Sequence, residues 1–168
     1  MISYDELKDI LSKSELFNLF LEEDFNILIP LFKFKEYNGS EVIFRDGDFG
    51  DKYYIILQGE VRISKEIPRI GEETLVVLKK GACFGEMALI NEAPRSATAI
   101  ANTSLKLCYI DRDAFDEIIY FHKDQGYKLL LAFTRILGER LKETDDKLAA
   151  FLSLSLSYGG PVNDPKQK

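Results

Sequence analysis

Lys52-Tyr53-Tyr54-Ile55-Ile56-Leu57-Gln58-Gly59-Glu60-Val61-Arg62-Ile63-Ser64-Lys65 consists of two short runs of aromatic and β-branched residues hinged at Gln58-Gly59. Such runs favour pleated strands, and a Gly at the joint supplies the positive φ that a tight turn needs. The same texture extends in both directions. Comparable runs occupy 32–37 and 41–44 upstream, and 73–78, 83–84, 96–101 and 104–110 downstream. Between them stand Asn38-Gly39, Asp46-Gly47-Asp48, Gly50-Asp51, residues 68–71 and Lys80-Gly81, each a recognised turn chemistry. About eight closely spaced strands, with no helix of useful length between most of them, argue for an antiparallel sandwich or barrel. An eight-stranded antiparallel jelly-roll β-barrel over residues 31–110 is the economical reading, because its two sheets cover each other's apolar faces.

The flanks change period. In residues 1–30, Leu7, Ile10, Leu11, Leu16, Phe17, Leu19, Phe20, Leu21, Phe25, Leu28 and Ile29 recur at three- and four-residue spacing, which predicts an N-terminal bundle of two or three short helices ending at Pro30. Residues 111–152 return to the same period. Asp111 and Asp113 can cap a helix with Phe115, Ile118, Ile119 and Phe121 on one face. A longer helix is expected from Gln125 to about Phe151. Along it Tyr127, Leu130, Thr134, Leu137, Leu141, Thr144, Leu148 and Phe151 are separated by 3, 4, 3, 4, 3, 4 and 3 residues, a heptad seam. Leu129, Phe133 and Ile136 form a second apolar face near its start, suited to packing on the β domain. The fold class is thus mainly β with flanking helices and a long C-terminal helix. Residues 153–168 read as a polar tail with its last eight or so residues loose.

Composition removes whole classes of function. The 168 residues carry 22 Lys and Arg against 28 Asp and Glu, a net charge of −6, which argues against nonspecific nucleic-acid binding. Cys83 and Cys108 are too few for a disulfide framework or a tetrathiolate metal site, so no metal is expected and a reducing cytoplasm is the simplest home. The single His122 reads as a helix end. No window approaches the roughly 20 apolar residues of a membrane-spanning helix, and the N-terminus lacks a secretory pattern.

Candidate chemistry gathers in Gly81-Ala82-Cys83-Phe84-Gly85-Glu86-Met87-Ala88-Leu89-Ile90-Asn91-Glu92-Ala93-Pro94-Arg95-Ser96-Ala97-Thr98. Here a strand ends at Gly85 and at once begins a short helical turn, whose first N–H groups lack internal partners. Arg95, returned by a loop through Pro94, offers a planar fork for phosphate oxygens, and Ser96 adds a hydroxyl. A carboxylate at Glu86 would repel a phosphate unless it faced a different group, such as a pair of sugar hydroxyls. The ligand suggested is a phosphorylated sugar with free hydroxyls. A plain turn with two solvated charges is the other reading of the same residues.

The segment from Phe84 to Thr98 resembles the phosphate-binding cassette, residues 84–97 here, of cyclic nucleotide-binding domains. The runs from Gly39 to Asp51 and from Tyr53 to Val61 resemble that family's barrel strands and turns. The resemblance implies that Glu86 accepts the ribose hydroxyl and that Gly85 lets the backbone approach the sugar. Arg95, Ser96 and the Ala88 N–H would hold the cyclic phosphate, with Met87 and Ala97 lining the pocket. Ser after the cassette arginine leans towards cAMP, with cGMP as the alternative. The base would meet the C-terminal helix at Thr134, unless Thr134 is simply a tolerated polar seam position.

Transcription factors of that family continue into a helix-turn-helix of some 60 residues or more, whereas only 17 residues follow Phe151. The expectation is therefore a cyclic-nucleotide receptor without a DNA reader, enzymatic activity, cofactor or catalytic residue. It would form a homodimer or higher oligomer through Tyr127, Leu130, Leu137, Leu141 and Leu148, and regulate a separate effector protein. A scaffold that uses the fold for protein contacts alone is the competing expectation.

Overall fold

The computed structural model describes residues 2–91 and 93–158. Helix α1 (Tyr4–Ser12) starts where the Ser3 hydroxyl accepts the Glu6 N–H. After a 3₁₀ turn at Glu15–Phe17 and helix α2 (Asp24–Leu28), a second 3₁₀ turn at Ile29–Leu31 carries Pro30 and turns the chain into the sheets. Phe17, Phe20, Phe25 and Phe32 meet edge-on or tilted and form the core of this N-terminal layer.

Eight strands follow in two four-stranded sheets. They are β1 (Lys33–Tyr37), β2 (Val42–Phe44), β3 (Lys52–Gln58), β4 (Val61–Ile67), β5 (Gly71–Leu78), β6 (Cys83–Phe84), β7 (Thr98–Ala101) and β8 (Leu105–Asp111). One sheet runs β1-β8-β3-β6, the other β2-β7-β4-β5, with every pairing antiparallel. The expected jelly-roll architecture is present, but as a roll of two sheets and not a closed barrel: β6 and β2, only two and three residues long, cannot bridge the sheets.

The strand β3 shows why an unbroken apolar run forms here. Tyr54 and Ile56 point into the roll with Phe84, Leu105 and Leu107, while Tyr53, on the other face, meets the Phe133 ring edge-on at 5.0 Å. Both faces are covered, so no polar alternation is needed. At β5 the reverse holds: Leu75, Val76 and Val77 are all exposed on a strand at the edge of its sheet.

Helix α3 (Glu86–Asn91) interrupts the strands, and α4 (Arg112–Phe121) begins where the Asp111 carboxylate accepts the Ala114 N–H. Phe115 and Ile118 are buried as expected, whereas Phe121 faces solvent. His122 is the C-cap of α4. Helix α5 (Lys123–Tyr158) runs seven residues past the expected end near Phe151, so residues 153–158, read as tail, are helical. Ser153 and Ser155 donate their hydroxyls to the Ala149 and Leu152 carbonyls, so both hydroxyls find partners within the helix. The expectation of loose closing residues falls outside the described ones.

Contacts divide the chain into two compact units, Met1–Phe133 and Thr134–Lys168. In the first, Leu129, Ala132 and Phe133 are buried while Tyr127 and Leu130 are exposed; in the second, Leu141, Leu148 and Phe151 are exposed and Leu137 is half-buried. The seam residues and the buried face are therefore different sides of the same helix.

Candidate functional site

Phe84 and Cys83 end β6 against β3, and Gly85 turns the chain at φ +88° directly into α3. A Cβ at Gly85 would come within 2.7 Å of Arg95 Nη1 and 3.0 Å of the Lys52 carbonyl, so a larger residue here is strained in its backbone and pushes the arginine aside. The arginine ten positions on fills the space. Arg95 Nη1 donates to the Gly85 carbonyl at 2.8 Å and Nη2 to the Lys52 carbonyl at 2.9 Å. Its guanidinium carbon lies 4.2 Å from the centroid of the Phe44 ring. Arg95 is only 4% exposed, and its buried Nε–H has no hydrogen-bond acceptor.

A buried donor without an acceptor costs about 1–3 kcal/mol, and more when it is charged, so this N–H calls for an acceptor from elsewhere. Burial pulls the guanidinium below its ordinary pKa, and the Tyr54 hydroxyl, Asp51, Glu86 and Asp48 oppose that pull. Glu86, in the first turn of α3, is itself 3% exposed, so a cation and a carboxylate are both held out of solvent at one bend of chain. That pairing can address two chemically different parts of one ligand: an anion and a hydroxyl donor.

Ser96 and Met87 lie together on the exposed side, with the Ser96 hydroxyl 3.8 Å from the Met87 sulfur, and Lys65 Nζ donates to the Ser96 carbonyl at 2.8 Å. Ala97 is half-buried beside them in sequence, and the Ala88 backbone lies within α3. Gly85, Glu86, Met87, Ala88, Arg95, Ser96 and Ala97 thus all belong to the first unit, whereas Thr134 opens the second and is exposed.

Several contributors carry no sequence signal of their own. Lys52 acts through its carbonyl, Phe44 through its ring face, and Gly47 and Asp48 through their main chain: Gly47 N–H donates to the Arg95 carbonyl and Arg95 N–H to the Asp48 carbonyl, both at 2.8 Å. The turn chemistry of Asp46-Gly47-Asp48 was the one available pointer to them. A cavity of about 280 Å³ lined by Tyr37, Phe44, Tyr54, Tyr109 and Arg95, among others, adjoins this arrangement. Among the described residues, no group of three or more His, Cys, Asp or Glu is placed to hold a metal ion, and no helix is long and apolar enough to cross a membrane.

The sequence profile of the cyclic nucleotide-binding domain matches residues 34–120. The chain is 36% identical over 148 residues to a cGMP-dependent protein kinase of Plasmodium berghei, covering 88% of this chain and 16% of that protein. A crystal structure of a cyclic nucleotide-binding domain from Methylobacillus flagellatus superposes with a TM-score of 0.78 at 29% identity, covering 88% of this chain and 83% of that one. The regulatory domain of Toxoplasma gondii PKA, crystallised with cAMP, gives a TM-score of 0.64 at 36% identity, covering 68% and 44% of the two chains. The chain spans less than half the length of the first curated relatives it matches.

Proposed function

The chain belongs to the cyclic nucleotide-binding domain family, and on that premise we propose that it is a regulatory receptor for a cyclic nucleotide, with cAMP as the first choice over cGMP. The observation that carries the reading is the joint burial of Arg95 and Glu86 around Gly85, with the Arg95 Nε–H lacking an acceptor. In this reading Arg95, Ser96 and the Ala88 N–H hold the cyclic phosphate, Glu86 and Gly85 meet the ribose, and Met87 and Ala97 line the pocket.

The protein is regulatory and not catalytic, resides in the cytoplasm, and acts on a separate effector through its C-terminal helix. The exposed positions Tyr127, Leu130, Leu141 and Leu148, with half-buried Leu137, support a homodimer formed along that helix. A ligand of about two dozen heavy atoms at roughly 0.3–0.4 kcal/mol per atom binds near micromolar.

Calorimetric titration tests the reading. Wild type is expected to bind cAMP near micromolar, and Arg95→Lys, which keeps the charge but loses the fork, to bind at least about tenfold more weakly. No heat with cAMP or cGMP up to millimolar overturns the proposal and favours a scaffold that works through protein contacts alone.

A further inference from the structure

Arg95 rests on an aromatic floor. Its guanidinium carbon stands 4.2 Å from the Phe44 centroid and 5.8 Å from that of Tyr54. Phe44 in turn lies 6.0 Å from Tyr54 and 5.9 Å from Phe84, while Tyr54 and Phe84 stack at 5.1 Å with 15° between planes. Because Phe84 immediately precedes Gly85, this ring cluster is the underside of the cassette. The edges of the guanidinium are held as well, by the Gly85 and Lys52 carbonyls. A planar ion with its central carbon over a ring and two corners bonded cannot leave this position without losing all three contacts together.

The main chain is fixed by the same segment. The turn that exchanges two backbone hydrogen bonds with Arg95, at Gly47 and Asp48, follows Phe44 within four residues, and the Asp46 N–H donates to Thr98 Oγ1 at 3.0 Å just past the cassette. One stretch of chain thus supplies both the ring under the side chain and the clamp on its backbone. A guanidinium has five N–H donors. With one on each carbonyl, the Nε–H and the second hydrogen of each Nη remain, all in the guanidinium plane.

We propose that Phe44 is a positioning residue for Arg95: it fixes the guanidinium plane so that the N–H groups left over by Gly85 and Lys52 meet the ligand's phosphate. The proposal deepens the cyclic-nucleotide reading and rests on it. Loss of a desolvated cation–ring contact of this kind corresponds to about a 5–30-fold loss of affinity.

The test combines binding with an NMR signal that needs no ligand. In ¹⁵N-labelled, ligand-free protein, the Arg95 Nε–H resonance is expected to be ring-shielded and slow to exchange. Phe44→Leu, and Phe44→Met as a second variant that fills the space without a π face, should reduce the shielding to what Tyr54 leaves, speed Nε–H exchange and raise the Kd for cAMP about 5–30-fold, while Phe44→Tyr should stay within about twofold of wild type. In an Arg95→Lys background, Phe44→Leu should add less than about a further twofold, because the planar partner is already gone. An unchanged Kd in both the Leu and Met variants, or losses that simply multiply in the Arg95→Lys background, overturns the proposal. If wild type binds neither cAMP nor cGMP, the functional reading fails by itself. In that case exchange of the resonance still decides whether Phe44 holds Arg95: faster Nε–H exchange in Phe44→Leu and Phe44→Met supports it, and exchange as slow as in wild type refutes it.

Discussion

Gly59 and Gly85 share a φ of +88° and differ in what stands where a side chain would go. At Gly59 the nearest atom to an added Cβ is the Ser104 carbonyl oxygen, 2.3 Å away and part of the backbone; at Gly85 it is the tip of Arg95, 2.7 Å away. Backbone cannot step aside cheaply, and the left-handed conformation costs a further ~1–2 kcal/mol for an L side chain. Gly59→Ala is therefore expected to lower the melting temperature more than Gly85→Ala, while only Gly85→Ala should weaken cyclic-nucleotide binding, because it dislodges the arginine. Melting curves and calorimetry on the two variants check this. If Gly59→Ala weakens binding as much as Gly85→Ala, the binding loss reflects general softening and not the cassette. That Gly85, Glu86 and Arg95 come together at one bend was legible in the sequence, because a left-handed turn and a returning arginine depend on residue type at a fixed spacing. Phe44 and Lys52 were not, since one acts from another strand and the other through a carbonyl that every residue possesses.

At the scale of elements, Asp24 joins α2 to the start of α5. Its buried carboxylate accepts the Leu21 N–H at 2.7 Å, Gln125 Nε2 at 2.7 Å and Lys128 Nζ at 2.6 Å. Burial alone would raise its pKa, but the hydrogen bonds from Lys128, Gln125 and Leu21 and the Lys128 charge outweigh it and hold the group below the ordinary carboxylate value. A depressed folded-state pKa means that the stabilisation is complete above the unfolded pKa of about 4 and is lost as pH falls through the lower, folded value. Asp24→Asn should therefore melt below wild type at pH 7, by roughly 1–3 kcal/mol with Lys128 left uncompensated, and the gap should close below about pH 4 as wild type is protonated. A gap independent of pH would mean that packing, and not charge, is lost. Sequence periodicity placed both helices but offered no sign of this contact, whose partners lie 101 and 104 residues apart. It also stopped α5 too early, because Leu-Ser alternation does not look helical.

The whole molecule was legible in outline: a strand-rich centre between helical flanks follows directly from the change of period along the chain. Sheet closure was not, since hydrogen bonding across the sheet edges depends on strand lengths that turn residues locate only to within a residue or two. The same division bears on assembly. The face of α5 that holds Leu129 and Phe133 is buried, while Tyr127 and Leu141 on the seam are 69% and 64% exposed. Light scattering is expected to give twice the chain mass for wild type and the single-chain mass for Leu137→Asp with Leu141→Asp; a monomer in both sinks the paired-helix proposal. Ligand should register on the whole fold as well, since a nucleotide present at about 1,000 times its Kd adds ~4 kcal/mol to stability.

Leu75, Val76 and Val77, exposed on the edge strand β5, give the protein a colloidal character as well as an architectural one. An open strand edge carrying three exposed aliphatic side chains is a template on which another chain can grow, and charges flank it: Glu72, which meets Arg62 and Ser64, with Glu73 on one side, and Lys79, which meets Glu60, with Lys80 on the other. Solubility is therefore expected to depend on where charge sits as well as on the net charge of −6: replacing Glu73 and Lys80 by neutral residues should promote edge-to-edge association of the folded protein, which light scattering at rising concentration checks.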